Sequence, residues 1–97
     1  SMRTLADADY QVPVGKVYKA LEFKVQTQAG GSGVALVADE PTVNTQTNAN
    51  RVFETSSYNG NTMGANMEYD FAAGQYIGCQ SVTSSVEILI TGLEMNA

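Results

Sequence analysis

Ninety-seven residues suffice for one hydrophobic core and not for two, so a single domain over 1–97 is expected. The charged fraction, 15%, is low for a folded chain, and Asn, Gln, Ser, Thr and Gly take up the difference. The net charge is −5 and the five basic residues, Arg3, Lys16, Lys19, Lys24 and Arg51, are scattered, which argues against a nucleic-acid partner and against an anionic membrane surface.

In chain order, Ser1-Met2 reads as a cloning remnant ahead of a natural start, with no basic-then-apolar leader, so a complete small protein is expected. Residues 1–9 carry no apolar period and read as an N-terminal arm. Tyr10-Gln11-Val12 opens a short strand. Pro13-Val14-Gly15-Lys16 then has turn chemistry, because Pro presets φ and Gly accepts positive φ. Val17–Gln26 reads as a long strand in which Leu21, Phe23 and Val25 alternate with Glu22, Lys24 and Gln26. Lys19 interrupts the apolar face near the strand's start, where its stem can lie along the surface.

Thr27–Gly33 is a glycine-rich loop. Val34–Ala38 is short and apolar at every position, and its length favours a strand. Thr42–Thr47 is a polar, β-branched candidate edge, beside Pro41, and Asn48–Asn50 is a turn. Arg51–Ser57 is the next strand. Asn59-Gly60 is the strongest hairpin signal in the chain, since both central residues of a type I′ turn need positive φ. Gly64 suggests a bulge or bend. Met67, Tyr69 and Phe71 alternate with Glu68 and Asp70, Ala72–Gln75 turns, and Tyr76–Val82 returns. Val86–Thr91 is the clearest strand, closed by Gly92-Leu93-Glu94, with 95–97 as a tail. Nowhere does a 3.6-residue apolar repeat run for ten residues. The expectation is an all-β, antiparallel β-sandwich, jelly-roll-like, of about seven or eight short strands.

Two segments echo each other. Tyr10–Tyr18 aligns with Tyr69–Ile77 through the shared pattern Tyr, polar, apolar, small or Pro, small apolar, Gly, long polar, and two strand residues. Either two hairpins need the same turn chemistry, or the two halves of a sandwich turn a corner at equivalent positions.

The run Tyr10-Gln11-Val12-Pro13-Val14-Gly15-Lys16 resembles the opening of many small β-sandwich domains of bacteriophage and other viral structural proteins. Phe71–Ile77 and Val86–Glu94 are similar to the last hairpin and final strand of those decoration, fibre and tail-tip domains. The resemblance covers about a third of the chain and rests on turn and strand chemistry. It implies a jelly-roll-like domain, often trimeric, on a particle surface, and it carries no catalytic residue across.

The residues themselves offer little reaction chemistry. There is no histidine and one cysteine, Cys79, so a Ser-His-Asp or Cys-His pair and a closed zinc site are excluded, as is an internal disulfide. The expectation is therefore a protein that is not an enzyme and holds no cofactor. Carboxylates at Asp7, Asp9, Asp39 and Glu40 border loops and raise calcium as a question, but they match no dense calcium loop and read first as solvated charges. Gly30-Gly31-Ser32-Gly33 precedes a strand, not a helix, and so does not form a phosphate cradle. For function, self-assembly with surface binding is the first expectation. Val34, Leu36 and Val37 are candidate contacts between copies, because a two-layer sandwich buries only one face of a strand. A homo-oligomer, trimeric by the resemblance, would meet other virion proteins or host-surface glycans. The alternative is a carbohydrate-binding module, in which Tyr58, Asn59, Asn61 and Asn66 would contact sugar.

Overall fold

A computed structural model describes residues 2–6, 10–27, 30–42, 50–81 and 86–97. They form eight strands: β1 (Met2–Ala6), β2 (Tyr10–Gln11), β3 (Lys16–Thr27), β4 (Ser32–Glu40), β5 (Arg51–Tyr58), β6 (Thr62–Phe71), β7 (Tyr76–Ser81) and β8 (Val86–Asn96). Every pairing is antiparallel. One sheet has the order β1-β8-β3-β6 and the other β2-β7-β4-β5. This is the strand order of a jelly-roll sandwich, and the all-β antiparallel sandwich expected from alternation is what the chain forms.

The order has an internal two-fold logic. Replacing each strand by the one four places along the chain turns β1-β8-β3-β6 into β5-β4-β7-β2, which is the second sheet read backwards. The echo lies on this relation. Pro13–Lys16 carries the chain from β2 in one sheet to β3 in the other. Ala72–Gln75 carries it from β6 back to β7. Each turn closes with an i to i+3 bond, Lys16 N to Pro13 O at 3.1 Å and Gln75 N to Ala72 O at 3.1 Å. Each has its glycine at positive φ, 80° at Gly15 and 84° at Gly74, as the third residue of a type II turn requires. The turns are bonded to each other through Val12 N to Gln75 O and Gly74 N to Val12 O. They are corners between sheets, not hairpins.

Asn59 and Gly60 both take positive φ, 56° and 79°. The strands they join nevertheless enter different sheets, so this turn too is a corner. Its backbone is held by the neighbouring connection, with Asn59 N donating to Gly31 O at 2.7 Å and Gly60 N to Thr27 Oγ1 at 3.2 Å.

The core lies between the sheets and contains Val12, Tyr18, Ala20, Phe23, Val25, Ala35, Val37, Phe71, Ile77, Ile88 and Ile90. Phe23 stacks on Phe53 across the layers at 5.2 Å, and Tyr69 meets Phe71 edge-on at 4.7 Å. Four expectations need correction. The arm at 1–9 is a strand over Met2–Ala6, because β8 pairs with it from Leu93 to Leu89. Leu21 is half-buried and not a core residue. The β3 register slips between Ala20 and Glu22, so the inward residues are Tyr18 and Ala20 before the slip and Phe23 and Val25 after it. Gly64 lies within β6 opposite Lys24, at neither a bulge nor a bend. Gly92 does not end the last strand. β8 runs on to Asn96, Met95 faces Val17, and Ala97 N bonds Gly15 O at 2.8 Å. The expected Thr42–Thr47 edge falls, from residue 43 on, outside the described residues.

Candidate functional site

The β3–β4 connection and the β5–β6 corner meet at one end of the sandwich. Thr27 and Ser57 are buried there, and their hydroxyls lie 3.4 Å apart. Ser57 Oγ donates to Asn61 O, and Thr27 Oγ1 accepts from Gly60 N. Buried hydroxyls need such partners, and these tie the corner down. Asn59 Oδ1 accepts from Gly30 N at 3.3 Å, which occupies the amide oxygen of one candidate sugar contact. Asn59 and Asn61 are both exposed and adjacent on this corner. Asn66 is exposed as well, but it stands on β6 four residues beyond Thr62, about 13 Å along the strand. The structure therefore groups Asn59 with Asn61 and sets Asn66 apart. Tyr58 ends β5, and its side chain lies outside the described set.

At the opposite end, two carboxylate–phenol pairs join the sheets. Tyr69 on β6 donates to Asp39 Oδ2 on β4 at 2.6 Å, and Gln75 Nε2 donates to Asp39 Oδ1 at 2.9 Å. Tyr10 on β2 donates to Glu94 on β8. The four-place strand relation maps β6 onto β2 and β4 onto β8, so the pairs are equivalent and their tyrosines are the first residues of the two echo segments. The bond to Asp39, partial burial and the nearby carboxylate charge together push the Tyr69 phenol up from 10 to about 12. Sequence reasoning did not find these pairs; the only signal for them was the repeated tyrosine.

Asp39 and Glu40 are neighbours on a strand and so project to opposite faces. Glu40 is fully buried and accepts from Asn50 Nδ2 at 3.0 Å. The two carboxylates cannot share one calcium ion, and no cluster of three or more metal-ligating side chains occurs among the described residues. Asp7 and Asp9 lie outside the described residues.

Of the candidate contacts between copies, Val37 is in the core and Leu36 is 8% exposed, both buried by this chain alone. Only Val34, at 37%, remains on the surface, so the second apolar face of β4 is covered without a neighbour. On the other sheet, residues of β3, β6 and β8 (Lys24, Gln26, Thr62, Glu87, Ile88 and Leu89) line an open hollow of about 110 Å³. The ion pairs on that sheet, Lys24 with Glu22 at 3.7 Å and Lys19 with Asp70 at 3.7 Å and Glu68 at 3.9 Å, each join a half-buried side chain to an exposed one and, lying at the surface, contribute little. Among the described residues, no helix is long and apolar enough to cross a membrane.

No family model, no curated protein and no solved structure matches the chain.

Proposed function

We propose that the chain is a non-catalytic structural domain of a virion surface or appendage, acting by self-assembly and surface contact. The observation that carries this reading is the jelly-roll strand order, an architecture shared by viral capsid and lectin domains. A fold alone does not assign a function, so the choice between these two classes rests on the side chains. A sugar-stacking platform needs an exposed aromatic face. Among the tyrosines whose side chains are described, Tyr18 is fully buried, and Tyr10, Tyr69 and Tyr76 are half-buried. The hydroxyls of Tyr10, Tyr18 and Tyr69 donate within the fold, that of Tyr18 to Ile90 O at 3.4 Å. The carboxylates of Asp39 and Glu94 are taken up in bridging the two sheets, each accepting from a tyrosine hydroxyl of the opposite one. These features favour assembly, and the resemblance at 10–16, 71–77 and 86–94 adds a particle-surface setting with a trimer as the implied state.

The second reading, a carbohydrate-binding module, draws on Asn59 and Asn61 at the loop end. Light scattering and a glycan array with the purified protein separate the two. Assembly predicts a mass that is a multiple of 10.3 kDa and a blank array. A single-chain mass at high concentration, together with a saturable glycan signal lost in Asn61→Ala, would replace the first reading by the second.

A further inference from the structure

Among the described residues the sandwich has four edge strands, and they are not equally protected. β2 pairs over two residues and β1 over five. β5 skips Val52 in its register with β4, a bulge that bends an edge away from partners, and Arg51 clasps Glu54 across it. β6 also leaves two residues, Met67 and Glu68, out of its register with β3, yet it is the longest of the four edges. It is ten residues long, it contains no Pro, Lys or Arg, and no described strand pairs with its outer side. Met63 adds a second sign. It lies on the inward row with Ala65, Met67, Tyr69 and Phe71, yet it is 41% exposed. Among the described residues, none covers this inward-facing methionine at the edge.

We infer that β6 is the contact between two copies of this chain, pairing antiparallel with itself about a two-fold axis through Asn66. The inference rests on the assembly reading and specifies its interface. A two-fold axis normal to the sheet keeps inward rows facing inward rows, so the axis must pass through a residue and not between two. Centring on Glu68 would set Glu68 against its own copy. Centring on Met67 leaves the two Glu68 carboxylates two residues apart, about 7 Å and within screening range. Centring on Asn66 sets Glu68 opposite Gly64 and Asp70 opposite Thr62 of the other copy, and moves the Glu68 pair about 13 Å apart, beyond the ~8 Å screening length. The same register lays Met63 against Tyr69 of the other copy, a sulfur–aromatic contact that covers the open methionine. Asn66 meets Asn66, where the amides are complementary to each other. The contact is isologous and closes on itself, so it predicts a dimer or an even-numbered assembly in place of the three-fold state the resemblance implies.

The test combines the mass of the unaltered protein with site-specific crosslinking. In a Cys79→Ala background, Asn66→Cys should form a covalent dimer under mild oxidant, because directly opposed Cβ atoms lie about 4.5–5.5 Å apart. Glu68→Cys should associate without a covalent link, or crosslink at least about tenfold more slowly, because of the ~13 Å separation. Hydrogen exchange on the unaltered chain gives a readout free of substitutions: amides of residues 62–70 should exchange about tenfold more slowly in concentrated than in dilute solution. A multimeric mass with no β6 protection, or with Glu68→Cys crosslinking as fast as Asn66→Cys, would overturn the β6 contact and leave the assembly reading standing. A single-chain mass at high concentration would overturn both.

Discussion

Gly92→Ala should be among the most damaging single-atom changes in this protein. A Cβ at that position would lie 2.3 Å from Lys19 O, 2.8 Å from Tyr18 Cζ and 2.9 Å from the Ala20 Cα. Two of those atoms are backbone, and β8 is held between β1 and β3, so neither side can yield easily. Overpacking of this kind costs about 2–3 kcal/mol. The lower entropy of an unfolded alanine returns roughly 0.5 kcal/mol. The net loss is about 2 kcal/mol. A chain of this length has an unfolding entropy near 0.2 kcal/mol per kelvin, so Tm should fall by about 10 °C. Gly64→Ala is the control. Its Cβ would meet Phe23 O at 2.2 Å, a closer approach, but β6 is an edge strand and can swing outward. Its expected loss is at most ~3 °C by the same conversion, in dilute solution where self-association is weak. Thermal unfolding followed by circular dichroism measures both. If Gly92→Ala melts within a few degrees of the parent, or Gly64→Ala is the worse of the two, the idea that strand confinement governs the penalty is wrong.

Tyr69→Phe should remove a pH response. The folded phenol titrates near 12 against 10 unfolded, so its contribution is complete below pH 10 and is lost as pH rises from 10 to 12. Stability of the parent should decline over that window more steeply than that of the variant, and parallel denaturation curves would refute the Asp39 pairing. Thr27→Val leaves the Gly60 amide without its acceptor and should cost about 1–3 kcal/mol in urea unfolding; an unchanged midpoint would show that the corner does not need this bond. Gly15→Ala and Gly74→Ala meet no atom within 4 Å, but each holds positive φ, so each should lose about 1 kcal/mol or more. Unequal losses would count against the equivalence of the two corners.

What alternation alone can specify was legible beforehand. Phe23 with Val25, Tyr69 with Phe71 and Ile88 with Ile90 share a two-residue period, and all six point inward. The glycine turns were legible for the same reason, since the demand for positive φ is local. The remainder depends on residues far apart in the chain. β1 has no period of its own and is a strand because β8 lies beside it. Leu21 leaves the core because of a register slip against two partners, which no window around Leu21 contains. Gly92 reads as a stop but serves as the space into which the Tyr18 ring fits. At the candidate site, the Asn59–Asn61 corner was visible in sequence as turn chemistry. The Asp39–Tyr69 and Tyr10–Glu94 pairs, which link opposite sheets, were not.

The place of β8 between β1 and β3 bears on how the chain reaches its folded form. β8 comes after the other seven described strands in chain order yet is an interior member of its sheet, and β1 has no partner in that sheet until β8 is present. Until β8 has been made, β3 therefore presents an unmet ladder on the side opposite β6. Such non-local closure is slow and leaves nascent chains open to mispairing. Refolding from denaturant should accordingly be slow for a chain of this size, and a fragment ending before Val86 should aggregate instead of holding a partial sandwich.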